Sequence, residues 1–424
     1  MFMLTLILLL AVDVETHKIL IVIPKMGYSH MNFLGKIADT LVEDGHDVVT
    51  LQPVILPQVH GTGTSKSRLI QVDLKHEDIE EIMSILARDQ LPVWTSDVAN
   101  PTNLMTLIPV LEKMTSVAVE RLLDDEALLQ QLRQESFDIG IVEMFDFIGF
   151  AVFEAIGLKN VVGAHSTSGV MEATAISIGL PVIPSYTPAS FGVTDDSSDL
   201  LSRAKNLLLT TLSYHFQKRI ANAADEIMVD KLGHAVTPVW DTVSNMSWIL
   251  ANVEPLLDFA RPTLHKVIDL GGIGVKEASP LTEEWNTALN LRARTILISF
   301  GSVAHAANMP IAMKKTIMRV IESYPDITFI WKYERPDDPE FSAVKNLILT
   351  KWMPQGDLLA DNRTTLFVTH GGAGSLLESA THGKPLVVIP LFGDQPKNAK
   401  LVEKFGFGGA LRDAIEQIIS DPKF

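Results

Sequence analysis

The chain has 424 residues, 47% of them apolar, with no cysteine and a formal net charge of −16 at pH 7. That length supports two substantial cores, and the negative balance disfavours nucleic acid, whose phosphates need a clustered basic surface. Lack of cysteine removes disulfides, thiolate metal sites and cysteine nucleophiles together, and the 12 histidines show no H-E-x-x-H or comparable pairing, so no metal is expected.

Residues 1–12 (MFMLTLILLLAV) form an apolar run whose length suits the core of a signal peptide better than a bilayer-spanning helix, although no positive residues precede it. A buried first strand is the alternative. No later run approaches the roughly 20 apolar residues of a spanning helix. A leader over 1–16 and entry into the secretory pathway, as a protein of the endoplasmic reticulum lumen or a secreted one, are the expectation. Asn245-Met246-Ser247 and Asn362-Arg363-Thr364 are then candidate glycosylation triplets.

Residues 18–23 (KILIVI) read as a buried strand, 31–43 as an amphipathic helix closed by Gly45, and 47–51 as the next strand. The intervening turn, Pro24 to His30, is not G-x-G-x-x-G, so a dinucleotide cofactor at this end is disfavoured. His30 stands at the carboxyl edge of the first strand, just before the helix; a lone histidine is equally often structural. Residues 60–130 carry helical patterns at 79–86 and 104–123 and no motif. A further strand at 137–142 precedes Glu143 and Asp146, and a helix at 148–156 stops at Gly157 before another strand at 160–163. Asp146 suits either an N-cap or a catalytic role. Glu143 has no structural duty of that kind, and parallel strands in one sheet would bring it to the edge where His30 lies, to orient and polarise the imidazole.

Residues 165–260 hold turns at Pro181, Pro184 and Pro188 and an amphipathic segment at 204–221. Pro255, Pro262 and the run Gly271-Gly272-Ile273-Gly274 then break the periodicity. Beyond them the α/β pattern restarts with strands at 295–300, 327–331 and 347–349 and a helix entered at Pro310. The division expected is a first domain over 17–255, a linker over 256–274 and a second domain over 275–424 with an incomplete end, the two facing across a cleft.

The stretch 352–398 concentrates the special chemistry. A short strand ending at Thr369 runs into His370-Gly371-Gly372-Ala373-Gly374-Ser375, then a helix over 376–382 ended by Gly383 and Pro385, then a strand over 386–389. Such a βαβ unit places both following loops on one sheet edge, and glycines at a helix N-terminus make an anion site fit for a diphosphate. Ser375 and Glu378 also form an S-x-x-E pattern, which gives Glu378 a purely structural alternative as a capping residue.

Trp352 to Gln355, His370-Gly371-Gly372, Glu378, Gly383, Pro385, Pro390 and Asp394-Gln395 together closely resemble the signature of the UDP-glycosyltransferases. Ile298 to Ser302, Pro255 to Phe259 and Gly27 to His30 extend the resemblance over 18–411, with the look of the invertebrate branch. The resemblance implies an α/β protein of the GT-B fold, two Rossmann-like doubly wound domains, with acceptor on the first and UDP-sugar on the second. It implies that Trp352 stacks on uracil, that Gln355 and Glu378 bind the uridine, and that Ser302, His370, Gly371, Gly372, Gly374 and Ser375 surround the diphosphate. Asp394 and Gln395 would meet the sugar, and His30, backed by Glu143 or alternatively Asp146, would be the general base. UDP-sugar is then a co-substrate, the acceptor a small lipophilic molecule, and neither cofactor nor metal is required; homo- or hetero-oligomers stay open.

Three departures accompany the match. Glu143 stands where the family commonly has aspartate, and Gly374 where many members have asparagine. After Gly408-Gly409-Ala410-Leu411 about ten residues usual in the family are skipped, and its membrane anchor is missing, as in a truncated isoform or an incomplete gene model. The expectation is an inverting hexosyl transfer, glucose ahead of glucuronate; the alternative is a non-catalytic UDP-sugar-binding or regulatory isoform.

Overall fold

The computed structural model describes residues 15–88, 93–95, 100, 102–196 and 199–408. The expected leader, apart from its last two residues, and the stretch 409–424 lie outside the described residues. Two wholly parallel sheets carry the fold. The first contains β1 (Lys18–Val22), β2 (Asp47–Val54), β3 (Arg68–Asp73), β4 (Ile139–Glu143), β5 (Val161–His165), β6 (Ile249–Ala251) and β7 (Val267–Asp269), in the order β3-β2-β1-β4-β5-β6-β7. The second contains β8 (Arg294–Ser299), β9 (Ile327–Lys332), β10 (Leu347–Thr350), β11 (Thr364–Thr369) and β12 (Leu386–Val388), in the order β10-β9-β8-β11-β12.

The central strands read as mostly apolar runs because both faces are covered, whereas the edge strands β3, β7 and β10 are only partly buried. Along β1, Leu20 and Val22 enter one core while Ile19 and Ile21 enter another, the period-2 split of a strand between two helical layers. In β8, Ile296 and Ile298 pack on one side of the second sheet and Leu297 on the other. Within each sheet the strand order reverses once, between β1 and β4 and between β8 and β11. At such reversals the connecting loops part to opposite sides and leave a crevice at the strands' carboxyl ends.

Two expectations are corrected. The first helix spans Tyr28–Glu43 and starts at an extended Gly27, so His30 lies inside its first turn, not ahead of it. The stretch 256–274 is not merely a connector: Val267–Asp269 is β7, the edge strand of the first sheet, paired in parallel with β6. Prolines and glycines on either side conceal a strand of only three residues.

Contacts from both sides of the seam join the two sheets' layers. The Trp94 indole N–H donates to the His305 carbonyl at 3.0 Å, and its ring meets Phe300 edge-on at 5.0 Å. Asn32 donates to the Gly274 carbonyl at 3.0 Å. Close backbone packing is also required beside the first helix. A Cβ built on Gly35 would lie 2.1 Å from the backbone carbonyl of Gly63, which itself has φ +85°. Gly35→Ala should therefore destabilise the protein by about 1–3 kcal/mol. Urea unfolding should show this against Gly356→Ala, where nothing lies within 4 Å of the new methyl and little stability is lost.

Candidate active site

The crevice of the first sheet assembles three side chains from three strands. After β1 the chain passes through Gly27, where a Cβ would approach the His30 ring to 3.1 Å, and the imidazole turns back over the strand ends. Glu143 closes β4 at 1% exposure, and its Oε2 lies 3.3 Å from His30 Nδ1. Backbone N–H groups hold its other oxygen, Phe145 at 3.2 Å and Ser166 at 3.4 Å. Ser166, just past β5, brings its Oγ to 2.6 Å from the same Nδ1, and the Phe145 ring covers the imidazole at 4.9 Å. Nδ1 thus faces oxygen, and the base-competent tautomer is the one with the proton there and a lone pair on Nε2.

Asp146 does something else. Its Oδ1 accepts the Ile148 N–H at 2.9 Å, capping the helix Ile148–Ile156 across the left-handed Phe147 at φ 59°. The residue is 3% exposed, and burial, reinforced by the charge of Glu143, pushes its carboxyl well above the ordinary carboxylate range. Of the two candidate partners, Glu143 is the one against His30.

The crevice of the second sheet is built on β8 and β11. Gly301 follows β8 at φ +77°, and a Cβ there would lie 2.8 Å from the His370 ring; one at Gly372 would lie 3.0 Å away. These glycines let two loops close on one imidazole. Desolvation, helped by Lys332, pushes the His370 pKa down to about 4, so the ring is a neutral donor or acceptor at working pH. Lys332 donates to the Gly301 carbonyl at 2.9 Å, which ties the end of β9 to the turn containing Ser302. Gly371 has φ +82°, and the helix Ala373–Thr381 begins after Gly372 with no side-chain cap. Its first N–H groups, through Gly374 and Ser375, are thus left for a ligand.

The expected capping box does not form. The helix begins two residues before Ser375, which puts that side chain inside the first turn rather than at the cap. Glu378 instead accepts from Gln355 Nε2 at 2.5 Å, and its own burial raises its carboxyl pKa. Trp352 is 42% exposed and belongs to no core. Tyr28 meets it edge-on at 5.6 Å and His60 lies at 5.2 Å, so the first-sheet half reaches over the indole. Gln395 is turned into its own loop, with Oε1 accepting from Leu391 at 2.8 Å and Phe392 at 3.0 Å. Asp394 Oδ2 accepts from Asn398 at 3.1 Å, and Asn398 also donates to the Gly371 carbonyl at 2.9 Å. One amide therefore couples the Asp394 loop to the glycine loop.

Sequence reasoning missed Ser166 and the seam beneath the site. β5 extends to His165, two residues past the 160–163 run that marked it, which puts Ser166 at the strand's carboxyl edge, and no sequence signal distinguished it. Lys397, 1% exposed, makes an ion pair with Asp258 at 3.3 Å and donates to the Ser168 carbonyl at 3.2 Å, while Asp258 also holds Arg261 at 2.5 Å. Among the described residues no group of three or more His, Asp or Glu side chains is placed to hold a metal ion, and no described helix is long and apolar enough to cross a membrane.

Asp146 generates a pH prediction. Its folded-state pKa lies above the unfolded value, so its contribution is intact below the ordinary carboxylate pKa and is lost as pH rises toward the folded value. Asp146→Asn keeps the capping oxygen and should raise the melting temperature at pH 7, with the gain shrinking toward pH 4. A melting point that is unchanged or lower at pH 7 would show that the buried carboxyl carries no such penalty.

Comparison with known proteins agrees with this architecture. The family model described as "UDP-glucoronosyl and UDP-glucosyl transferase" matches residues 17–420. The Caenorhabditis elegans protein ugt-56, provisionally named a UDP-glucuronosyltransferase, is 30% identical over 392 residues, 92% of this chain and 74% of that one. Mouse UDP-glucuronosyltransferase 1A7 is 29% identical over 425 residues, 98% of this chain and 76% of its own. Among solved structures, the glycosyltransferase of kitacinnamycin has a TM-score of 0.59 at 17% identity, covering 96% of this chain and 92% of that one. UGT2 of Phytolacca americana, solved with UDP-2fluoro-glucose and pterostilbene, also scores 0.59 at 17% identity, covering 94% and 87%. The fold is GT-B, and the chain belongs to the UDP-glucuronosyl and UDP-glucosyl transferase family of glycosyltransferases.

Proposed function

We propose that the protein transfers a hexose from a UDP-sugar to a hydroxyl of a small lipophilic acceptor, with inversion at the anomeric carbon. The observation that carries the reading is the pairing of His30 with Glu143 at the switch point of one sheet, and of an uncapped glycine-started helix at the switch point of the other. His30 Nε2 takes the acceptor proton as the oxygen attacks the anomeric carbon. The bond from that carbon to the β-phosphate oxygen breaks, and UDP leaves. Glu143 stabilises the imidazolium through Nδ1–H. The charge developing on UDP meets the N–H groups of Gly374 and Ser375, with Ser302 and neutral His370 as further donors.

Trp352 stacks on uracil, and Gln355 with Glu378 meets the ribose. With Oδ2 and Oε1 already bonded inside their loop, Asp394 offers Oδ1 and Gln395 offers Nε2 to sugar hydroxyls. Metal is not needed in this scheme, because the leaving charge is met by oriented dipoles. A neutral hexose, glucose, fits the fact that Lys397, two residues past Gln395, is already engaged with Asp258. Glucuronate is the second reading, supported by the names of the relatives. A non-catalytic role is disfavoured by the assembled His30–Glu143 pair. The reading extends to residence in the secretory pathway.

Turnover of UDP-glucose and UDP-glucuronate against mixed phenols and steroids decides the donor. His30→Ala should lower kcat by about 10²–10⁴-fold while UDP still shifts the melting temperature; retained turnover would refute the assigned base. Trp352→Ala should raise the KM for UDP-sugar by about tenfold, the equivalent of one stacking contact, with a smaller effect on kcat.

A further inference from the structure

The closest polar neighbour of His30 is not its carboxylate. Ser166 Oγ lies 2.6 Å from Nδ1, against 3.3 Å for Glu143 Oε2. Ser166 is 5% exposed, and its backbone is anchored on both sides. Its N–H donates to Glu143 Oε1 at 3.4 Å, and its carbonyl accepts from the buried Asn252 amide at 2.9 Å. Asn252 in turn donates its backbone N–H to the His165 carbonyl at 3.0 Å. The hydroxyl is thus held against the imidazole by the sheet itself.

We infer that Ser166 is a positioning residue that accepts the Nδ1 proton of His30 and so fixes the direction of the ring in the tautomer, selected by Glu143, that leaves Nε2 free. A serine hydroxyl can either donate or accept. If it donated to Nδ1, the ring proton would move to Nε2 and the histidine could not take a proton from an acceptor hydroxyl. An ionised carboxylate accepts only, so Glu143 on the same nitrogen selects the arrangement in which Nδ1 carries the proton and both oxygens receive it. The two residues divide the work. Ser166 sets the ring's direction through the shorter bond, and Glu143 sets its polarity and stabilises the positive ring. A longer carboxylate side chain with a serine beside it holds the imidazole at two points rather than one.

This rests on His30 being the base. The test is made on the full chain with UDP-sugar and a turned-over phenol. Ser166→Ala should lower kcat by about tenfold, leave the KM for UDP-sugar and the UDP-induced melting shift unchanged, and move the acid limb of the kcat/KM profile to lower pH. Ser166→Thr should restore most of the rate. Combined with Glu143→Gln, the loss should be no greater than that of the worse single variant, because both act on one proton. Ring-¹⁵N spectra should report Nδ1 protonation of His30 in the parent and, because Glu143 still accepts, in Ser166→Ala as well, whereas Glu143→Gln should weaken that preference. Should Ser166→Ala fail to fold, Ser166→Cys, with a much weaker hydrogen-bonding group, gives the same readouts. An unchanged kcat and pH profile, a loss confined to KM, or losses that multiply with Glu143→Gln would each overturn the role of Ser166. Full activity in His30→Ala would overturn the base assignment itself, and so separates the two failures.

Discussion

Parallel pairing governs this molecule. A sheet whose strands all run one way releases every chain segment at the same edge, and a single reversal of strand order opens a crevice there. Both sheets obey this, with reversals at β1/β4 and β8/β11. His30 follows β1, Glu143 ends β4 and Ser166 follows the neighbouring β5; Ser302 follows β8 and His370 follows β11. Residues separated by more than a hundred positions meet because topology, not local sequence, delivers them. The apolar runs that make the strands and the polar residues one step beyond them are one design: burial fixes the strand, and the strand's end fixes the chemistry.

The seam between the sheets adds a second constraint. A buried ammonium at Lys397 is tolerable only with partners, because desolvation opposes its charge. Its partners, Asp258 and the Ser168 carbonyl, come from the connector and from the loop after β5. Lys397 lies on the helix that starts at Gln395, so the Asp394–Gln395 corner of the second sheet is fastened to the loop that also carries Ser166. Removing Asp258 would leave the Lys397 ammonium buried with only the Ser168 carbonyl, whereas removing Lys397 would leave Asp258 paired with Arg261.

Much of this was legible in the residues. Apolar runs announced the central parallel strands, the glycine-rich turn announced the strand-to-helix junction at β11, and the restart of the pattern after Gly274 announced a second α/β unit. What escaped detection had physical reasons. β7 is three residues long and flanked by glycine and proline, too short for any period to register. The S-x-x-E pattern looked like a cap, but Gly371 at φ +82° allows the helix to begin earlier, so Glu378 is released to pair with Gln355. The sequence already favoured Glu143 over Asp146, because Asp146 stood where a helix cap was expected and Glu143 did not. The left-handed Phe147, which turns one carboxylate into the helix end, separates them in the structure. Ser166 escaped because a serine after a strand is ordinary; its meaning lies in a 2.6 Å distance to a residue 136 positions away.

The two sheets' halves are also linked through the first helix. Tyr28 and His30 share its opening turn, and Tyr28 lies edge-on against Trp352 at 5.6 Å. On the proposed reading, a uracil stacked on the indole would also meet Tyr28, two residues ahead of His30 on the same turn. Nδ1 of that imidazole faces Glu143 and Ser166, so the ring is held from the sheet side. A single helical turn is thus anchored at one end by an aromatic contact with the second-sheet half and at the other by two oxygens from the carboxyl edge of the first sheet.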